Sequence, residues 1–319
     1  MGSPLYSQAM AAGYLRMLLI AEIGAYGAIG LWIHATLGWS YGAVAALAVT
    51  ASVAIRLLIV MCGVALSNLA RSPRAPGHRI GPAAALALFA REWYSVLSTN
   101  YWLFPFERWA LRPDQPAGPS ATPPVLLVHG YFSNRGYFNR IVPMLEARGV
   151  APVFTPNFPS AFGSIERLAA ALDGEIERLC AATGQSRLVL VCHSMGGLAA
   201  RTYLCGRGPG RVRKLITIGT PHHGTVIAWF GTGQNAAQMR PGSRYLRELE
   251  AREGGEGPAC ETVSIYTPHD NLVAPQASSI LPRARNVAIP GRGHVDLLES
   301  PRLLEVMLEE LRAAGVRVG

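Results

Sequence analysis

The stretch that most constrains how this chain folds is residues 187–204, which read RLVLVCHSMGGLAARTYL. An apolar, β-branched run ends at Cys192, a serine follows at position 194, and a pattern rich in small residues continues with helical spacing. This order predicts a strand, a tight turn and a helix, with Ser194 at the apex of the turn. Such a turn raises the serine Oγ clear of the backbone, and it needs small residues on both sides because strand and helix nearly touch.

Three residues beside the serine bear on this interpretation. Gly196 supplies the small residue on the helix side, and Cys192 stands where a glycine is usual, a change small enough to tolerate. Met195 would begin the helix, so its N–H can face a developing oxyanion. The alternative is a glycine-rich turn with an idle serine, because short strings of this kind also occur by chance.

Two long apolar runs, residues 15–37 and 42–66, precede the serine and are separated by a short turn. As helices they would each be about 35 Å long, enough to cross a hydrocarbon core of about 30 Å. A signal peptide fits poorly, because no basic segment precedes a short apolar core and a second run follows. We expect a membrane hairpin, and a buried helical hairpin in a soluble protein is the alternative.

Two charges interrupt these runs, Glu22 and Arg56, and each lies 17 positions from Trp39 in the turn. An antiparallel hairpin therefore places them at the same depth, and charges inside a membrane segment usually face a partner. The sequence predicts a Glu22–Arg56 pair. Arginines flank the outer ends of the two runs and none lies in the turn, which predicts that both chain termini face the cytoplasm.

Residues 82–109 are rich in aromatic side chains but carry Arg91 and Glu92 in the middle, so they fit a third span poorly. We expect an interfacial helix there, or a helix packed on the following domain. Residues 112–123 form a proline-rich linker. The chain is therefore predicted to divide into an N-terminal membrane region, residues 1–111, and a domain over residues 124–319.

From residue 124 onward, short apolar strand patterns alternate with amphipathic helical patterns. This alternation predicts an α/β fold, a mostly parallel sheet with helices on both faces. The predicted strands are residues 125–129, 150–155, 188–192, 215–219, 262–266 and 286–289, and the predicted helices are residues 137–148, 165–182, 197–205 and 301–314.

Composition excludes some partners. The net charge is +9, but 28 of the 29 basic residues are arginine, which fits a composition bias better than a designed basic face. No nucleic-acid-binding motif is present, so we expect no nucleic acid partner. The five cysteines form neither a disulfide framework nor a metal-binding knuckle, and we expect no cofactor.

The predicted strands also place a base and an acid near the serine. Asp270 follows the strand at 262–266, and His294 follows the strand at 286–289. Parallel strands end at the same edge of a sheet, so loops there can bring the three side chains together. Ser194, Asp270 and His294 are therefore the predicted nucleophile, orienting acid and base. His269 adjoins the acid, where a base could not reach it. Four other histidines adjoin the serine or motif glycines, where hydrogen bonding in turns is the expected role: His129, His193, His222 and His223.

Several motifs resemble those of the α/β-hydrolase superfamily and, within it, bacterial lipases and esterases. They are HGYF at 129–132, CHSMGG at 192–197, TIGTPHHGT at 217–225, HDNLV at 269–273 and GRGHVDLL at 291–298. The resemblance covers about residues 124–319 and implies the α/β-hydrolase fold. It also implies an oxyanion N–H from Tyr131 beside that of Met195, and a mobile lid over residues 225–258, for which a fixed cap is the alternative.

Some similar lipases hold a structural calcium through an aspartate in the place of Asp296, but few acidic residues lie nearby and we expect no metal. Together the patterns predict a serine hydrolase of carboxylic esters, with lipid acyl esters favoured by the membrane hairpin. The expected location is the bacterial inner membrane, with the hydrolase domain in the cytoplasm. An acyltransferase or thioesterase on the same triad, and a membrane-anchored binding protein without turnover, are the alternatives.

Overall fold

The computed structural model describes residues 10–158 and 161–319. It begins with two long helices, α1 over Met10–Leu37 and α2 over Tyr41–Leu69, which are joined by a short turn. Ser40 caps α2 by accepting the N–H of Ala43 at 3.2 Å. Both helices are long and apolar enough to cross a membrane, with mean hydropathies of 1.5 and 2.3, and few of their side chains are buried.

The predicted pair of charges joins these two helices. Arg56 Nη2 donates to Glu22 Oε2 at 2.5 Å, and Nη1 binds the other carboxylate oxygen. Ser52 donates to Glu22 at 2.7 Å and also lies 2.6 Å from the hydroxyl of Tyr101, while the guanidinium of Arg56 lies 4.7 Å from the Tyr101 ring centre. The predicted pair is confirmed, and Tyr101 joins it from outside the hairpin.

A third helix, α3 over Pro82–Ser98, leads through a π-helical turn to a short helix, α4 over Glu107–Ala110. Glu92 and Ser95 on α3 are buried against the C-terminal domain, whereas Trp109 stays 75% exposed. This segment therefore packs on the domain by one face, and the role of its exposed aromatic side chains at a membrane interface stays a prediction.

Six parallel strands form the sheet of the C-terminal domain: β1 Val125–Val128, β2 Val153–Phe154, β3 Leu188–His193, β4 Val212–Ile218, β5 Thr262–Tyr266 and β6 Arg285–Ala288. Their order in the sheet is β2-β1-β3-β4-β5-β6. From β1 the chain crosses to β2 on one side of β1, and it then returns to form β3 on the other side of β1. The loops after β1 and β3 therefore flank the crevice where open α/β sheets bind ligands.

Helices cover both faces of this sheet. They are α5 Ile141–Glu146, α6 Ile165–Thr183, α7 Met195–Arg207, α8 Gln234–Gln238, α9 Arg244–Arg252 and α10 Pro301–Ala313. Successive strand residues point to opposite faces, so Leu127 joins a core with α5 and α10, and Leu126 joins a core with α6 and α7. The predicted fold class, an α/β sheet preceded by a helical hairpin, is confirmed.

Two predicted elements are shorter in the structure. The strand expected at 150–155 is a ladder strand only at Val153–Phe154, because Pro152 has no N–H to donate. The helix expected at 137–148 begins at Ile141, after a 3₁₀ turn over Arg135–Phe138. Pro143 explains this, because it cannot donate to the carbonyl four residues before it.

Replacing Glu22 tests the contribution of the pair to insertion. Glu22→Ala should lower the yield of membrane-inserted protein, because Arg56 would lose its counter-charge inside the apolar segment. The double exchange of Glu22→Arg with Arg56→Glu should restore most of that yield. The measurement is the carbonate-resistant fraction of the protein in membranes of expressing cells.

The matched control is Thr36→Ala, an exposed side chain on α1 that bonds only its own helix, and it should leave the inserted fraction unchanged. If the double exchange inserts no better than either single variant, the pair does not stabilise the inserted hairpin.

Candidate active site

Ser194 lies between β3 and α7 in a strained backbone conformation, with φ of 55° and ψ of −127°. A positive φ is uncommon for a residue with a side chain, and surrounding contacts must hold it. One such contact is the Ser194 N–H, which donates to the carbonyl of Ile218 on β4 at 2.8 Å. The predicted strand, turn and helix are therefore present, with the serine at the apex.

Two glycines make room for this turn. A Cβ on Gly130, just after β1, would lie 2.8 Å from the Cβ of Ser194, and a Cβ on Gly196 would lie 2.7 Å from the carbonyl oxygen of Val128. Both positions need glycine, because real side chains do not approach so closely. The loop that carries Tyr131 is thereby held beside the first turn of α7, which begins at Met195.

The predicted acid and base are in direct contact. His294 Nδ1 lies 2.8 Å from Asp270 Oδ2, and both side chains are buried. Asp270 is held in turn, because its Oδ1 accepts the N–H groups of Leu272 at 2.8 Å and Val273 at 2.6 Å. The backbone N–H of His294 donates to the side chain of Asn271 at 2.9 Å. The orientation of the imidazole is thus fixed from two sides.

The electrostatic surroundings favour a proton on His294. Burial by itself would lower the pKa of this imidazole, but the charge and hydrogen bond of Asp270, with a smaller effect from Glu92, raise it above the ordinary 6.5. His193, whose ring centre lies 4.8 Å from that of His294, is also fully buried but faces no carboxylate. Burial lowers the pKa of His193 well below 6.5, so this neighbour stays neutral.

Serine and histidine open onto one apolar cavity of about 420 Å³, a volume typical of small-molecule sites. Ser194, His294 and Tyr131 line it, with Asp270 behind His294 and Met195 next to the serine in the chain. The structure therefore brings the five predicted site residues to one place, at the carboxyl ends of β1, β3, β5 and β6.

Comparison with known proteins agrees with the fold described above. A family model described as the alpha/beta hydrolase fold matches residues 123–240. Lipase B of Aspergillus fumigatus superposes with a TM-score of 0.58 at 20% identity, covering 64% of this chain and 56% of that one. The C-terminal domain has the α/β-hydrolase fold.

Two bacterial relatives are similar in sequence over about a third of this chain. A triacylglycerol lipase of Pseudarthrobacter phenanthrenivorans is 37% identical over 116 residues, which are 34% of this chain and 35% of that protein. A triacylglycerol lipase of Burkholderia plantarii is 37% identical over 116 residues, 34% of this chain and 32% of that protein. The chain thus spans about a third of the length of these relatives.

Other histidines of the C-terminal domain form hydrogen bonds with loop residues, and for His129 and His222 this is the predicted role. His129 Nε2 accepts the N–H of Phe158 at 3.0 Å, and His269 Nδ1 accepts the N–H of Gly291 at 3.1 Å. Burial lowers the pKa of each of these two imidazoles to about 4, so both act as neutral acceptors. The carbonyl of His222 accepts a hydrogen bond from the buried Arg201 at 2.9 Å.

The segment predicted as a lid, residues 225–258, has two parts. A 3₁₀ turn over Val226–Trp229 is followed by Phe230, an exposed aromatic side chain that lines the cavity. Tyr131 holds this part, since its hydroxyl donates to the Thr232 carbonyl at 2.8 Å and accepts the Thr232 N–H at 3.0 Å. Further along, α9 packs on α7, and Tyr245 lies 2.7 Å from Thr202. The second part therefore packs against the domain, and the mobility of the lid stays a prediction.

A structural calcium does not fit at Asp296. Its two carboxylate oxygens are bound by Arg292 at 2.9 Å and by Arg91 at 3.3 Å, and these guanidiniums already supply the positive charge that a cation would bring. Within residues 10–158 and 161–319, no cluster of three or more His, Cys, Asp or Glu side chains is arranged to hold a metal ion.

Sequence reasoning missed Glu92, which α3 inserts behind the loop of His294. This fully buried carboxylate accepts the N–H of Val295 at 3.0 Å and that of Asp296 at 2.8 Å, and it fills the space beside Gly293. Burial raises the pKa of Glu92 to about 7. The one signal in the sequence is a charge within an apolar helix, but its partners lie 203 and 204 positions away.

Removing this carboxylate should loosen the histidine loop. Glu92→Ala leaves two buried N–H groups without an acceptor, each worth about 1–3 kcal/mol of unfolding free energy. The melting temperature in detergent should fall by several degrees, and Glu92→Gln, which keeps one acceptor oxygen, should lose less. Glu305→Gln on the exposed face of α10 is the control. An unchanged melting temperature in Glu92→Ala would contradict this role.

The raised pKa of Glu92 should also make the stability of the folded protein depend on pH. The folded-state pKa of Glu92 is about 7 and its ordinary value is 4.5, so the folded protein holds the proton more tightly. Its stabilising contribution is present below pH 4.5 and is lost as the pH rises to about 7, by roughly 3 kcal/mol at most. Between pH 5 and pH 8 the melting temperature of the wild type should therefore fall more than that of Glu92→Gln.

Proposed function

We propose that this chain is a serine hydrolase that cleaves carboxylic esters, and lipid acyl esters in particular. One observation carries the proposal: the strained Ser194 and the Asp270-bound His294 open onto the same apolar cavity. A serine becomes a nucleophile only when a positioned base can take its proton. The lipase names of the relatives support the ester substrate.

In the first step, His294 takes the hydroxyl proton of Ser194 while the Oγ attacks the carbonyl carbon of the ester. The carbonyl oxygen becomes negative, and the N–H groups of Tyr131 and Met195 are the proposed donors to it. Asp270 stabilises the imidazolium through the 2.8 Å bond to Nδ1. His294 then gives its proton to the leaving alcohol, and an acyl-serine remains.

In the second step, His294 takes a proton from water as the water oxygen attacks the acyl carbon. The bond to Ser194 breaks, the serine regains its proton and the carboxylic acid leaves. The apolar cavity suits an acyl chain, and α1 and α2 would keep the enzyme beside its lipid substrates. Arg71, Arg74 and Arg79, just after α2, support a bacterial inner-membrane location with the hydrolase domain in the cytoplasm.

A Ser194→Ala variant tests the nucleophile. The wild type in detergent should hydrolyse a series of nitrophenyl esters from acetate to palmitate, and the variant should lose about 10³-fold or more of kcat, because the covalent step is gone. Ser186→Ala, in the loop before β3, is the matched control and should keep full activity. Turnover that survives in Ser194→Ala would overturn the proposal.

The contact of Asp270 with His294 should determine how kcat/KM depends on pH. The base must be neutral, so kcat/KM should rise with pH through the pKa of His294, which Asp270 holds above 6.5. Asp270→Asn removes that charge, so the rising limb should move to lower pH and the rate should fall about 10³- to 10⁴-fold. Asp173→Asn, a surface residue paired with Arg207, should leave the profile in place. If the rising limb does not move in Asp270→Asn, the contact between Asp270 and His294 does not set the pKa that controls the rate.

A further inference from the structure

The cavity beside Ser194 is not built by the hydrolase domain alone. Leu15 on α1 and Val60 on α2 line it, together with Val96 on α3 and Phe104 just beyond the π-helical turn. Val60 is only 2% exposed although it lies in the middle of a helix with membrane-spanning character, and Leu15 packs into the same core as Phe104. The hairpin therefore covers the cavity with apolar side chains.

Further contacts hold the hairpin against the site. The backbone of α2 comes so close at Gly63 that a Cβ there would lie 3.3 Å from the carbonyl oxygen of Asn271, the residue after Asp270. From the other helix of the hairpin, the ring of Tyr14 on α1 packs edge-on against Phe162, with ring centres 5.9 Å apart. The hairpin and the loops of the site thus form one continuous wall.

The mouth of the cavity lies between α2 and the 3₁₀ turn over Val226–Trp229. Ile59 on α2 and Phe230 after the 3₁₀ turn both line the cavity, yet they are 57% and 70% exposed. Residues that are exposed and also line a cavity mark its opening. Because both are apolar and one belongs to a candidate membrane helix, this opening is suited to hydrocarbon rather than to water.

We propose that α1 and α2 form the binding wall for the acyl chain, so that the chain of a membrane lipid ester enters between Ile59 and Phe230 and lies along Leu15 and Val60. This inference rests on the proposed esterase function and adds to it the substrate class, long-chain acyl lipids taken directly from the bilayer. Each pair of methylenes that the wall covers should raise kcat/KM about tenfold.

The first test places a larger side chain in the wall and so narrows the cavity. Val60→Trp in the full-length protein in detergent should lower the ratio of kcat/KM for nitrophenyl laurate to that for nitrophenyl butyrate about tenfold or more. Leu58→Trp introduces the same side chain on the same helix at a position that is 57% exposed, and it should leave the ratio within about twofold. An unchanged ratio in an active Val60→Trp protein would overturn the proposal.

The second test needs no change in the hairpin. A long-chain alkyl fluorophosphonate with a diazirine at the chain end reacts with the wild type: Ser194 Oγ bonds to phosphorus, fluoride leaves, and the serine proton passes to His294. Light then joins the chain end to its neighbours, and peptide mapping by mass spectrometry locates them. The expected crosslinks fall on α1 near Leu15 and on α2 near Ile59 and Val60.

The outcomes separate the two proposals. Labelling of Ser194 with crosslinks confined to the hydrolase domain would overturn the acyl-chain wall and leave the esterase proposal standing. A wild type that takes up no phosphonate at Ser194 would overturn the nucleophile, and with it the wall. Crosslinks on α1 and α2 would support both.

Discussion

The close approach of β1, β3 and α7 around Ser194 is the constraint on which the site depends. Two chain segments and the start of a helix share this space only because Gly130 and Gly196 lack a Cβ. The serine cannot relax from its positive φ, since its N–H is bonded to Ile218 on β4. The hydrogen bond to β4 therefore holds the serine in its strained conformation.

Burial distinguishes the histidines near this point from one another. His129, His193 and His222 are fully buried without a carboxylate partner, and each has its pKa lowered. His294 is equally buried, but the charge of Asp270 reverses the direction of the shift. The same side chain thus serves as a neutral hydrogen-bonding group or as a candidate base according to its neighbours.

The N-terminal region contributes to the site as well as forming a candidate membrane hairpin. Glu92 on α3 holds the two N–H groups that follow His294, and Leu15 and Val60 on the hairpin line the cavity. The hairpin is itself tied together by the Glu22–Arg56 pair. A change in the packing of helices α1, α2 and α3 would therefore alter both the loop that carries His294 and the cavity next to Ser194.

Much of this arrangement is local and could be predicted. Ser194, Asp270 and His294 each follow a strand that its own apolar pattern reveals, and Glu22 and Arg56 are equally far from the turn. Glu92, Leu15 and Val60 carry no such signal, because their neighbours in the site lie far away in sequence. By itself the sequence determined the parallel sheet, the helical hairpin and the order of the candidate triad, because periodicity and spacing act over short distances. Only the tertiary structure decided that the hairpin and α3 close over the site, because that depends on how two separately patterned regions pack against each other.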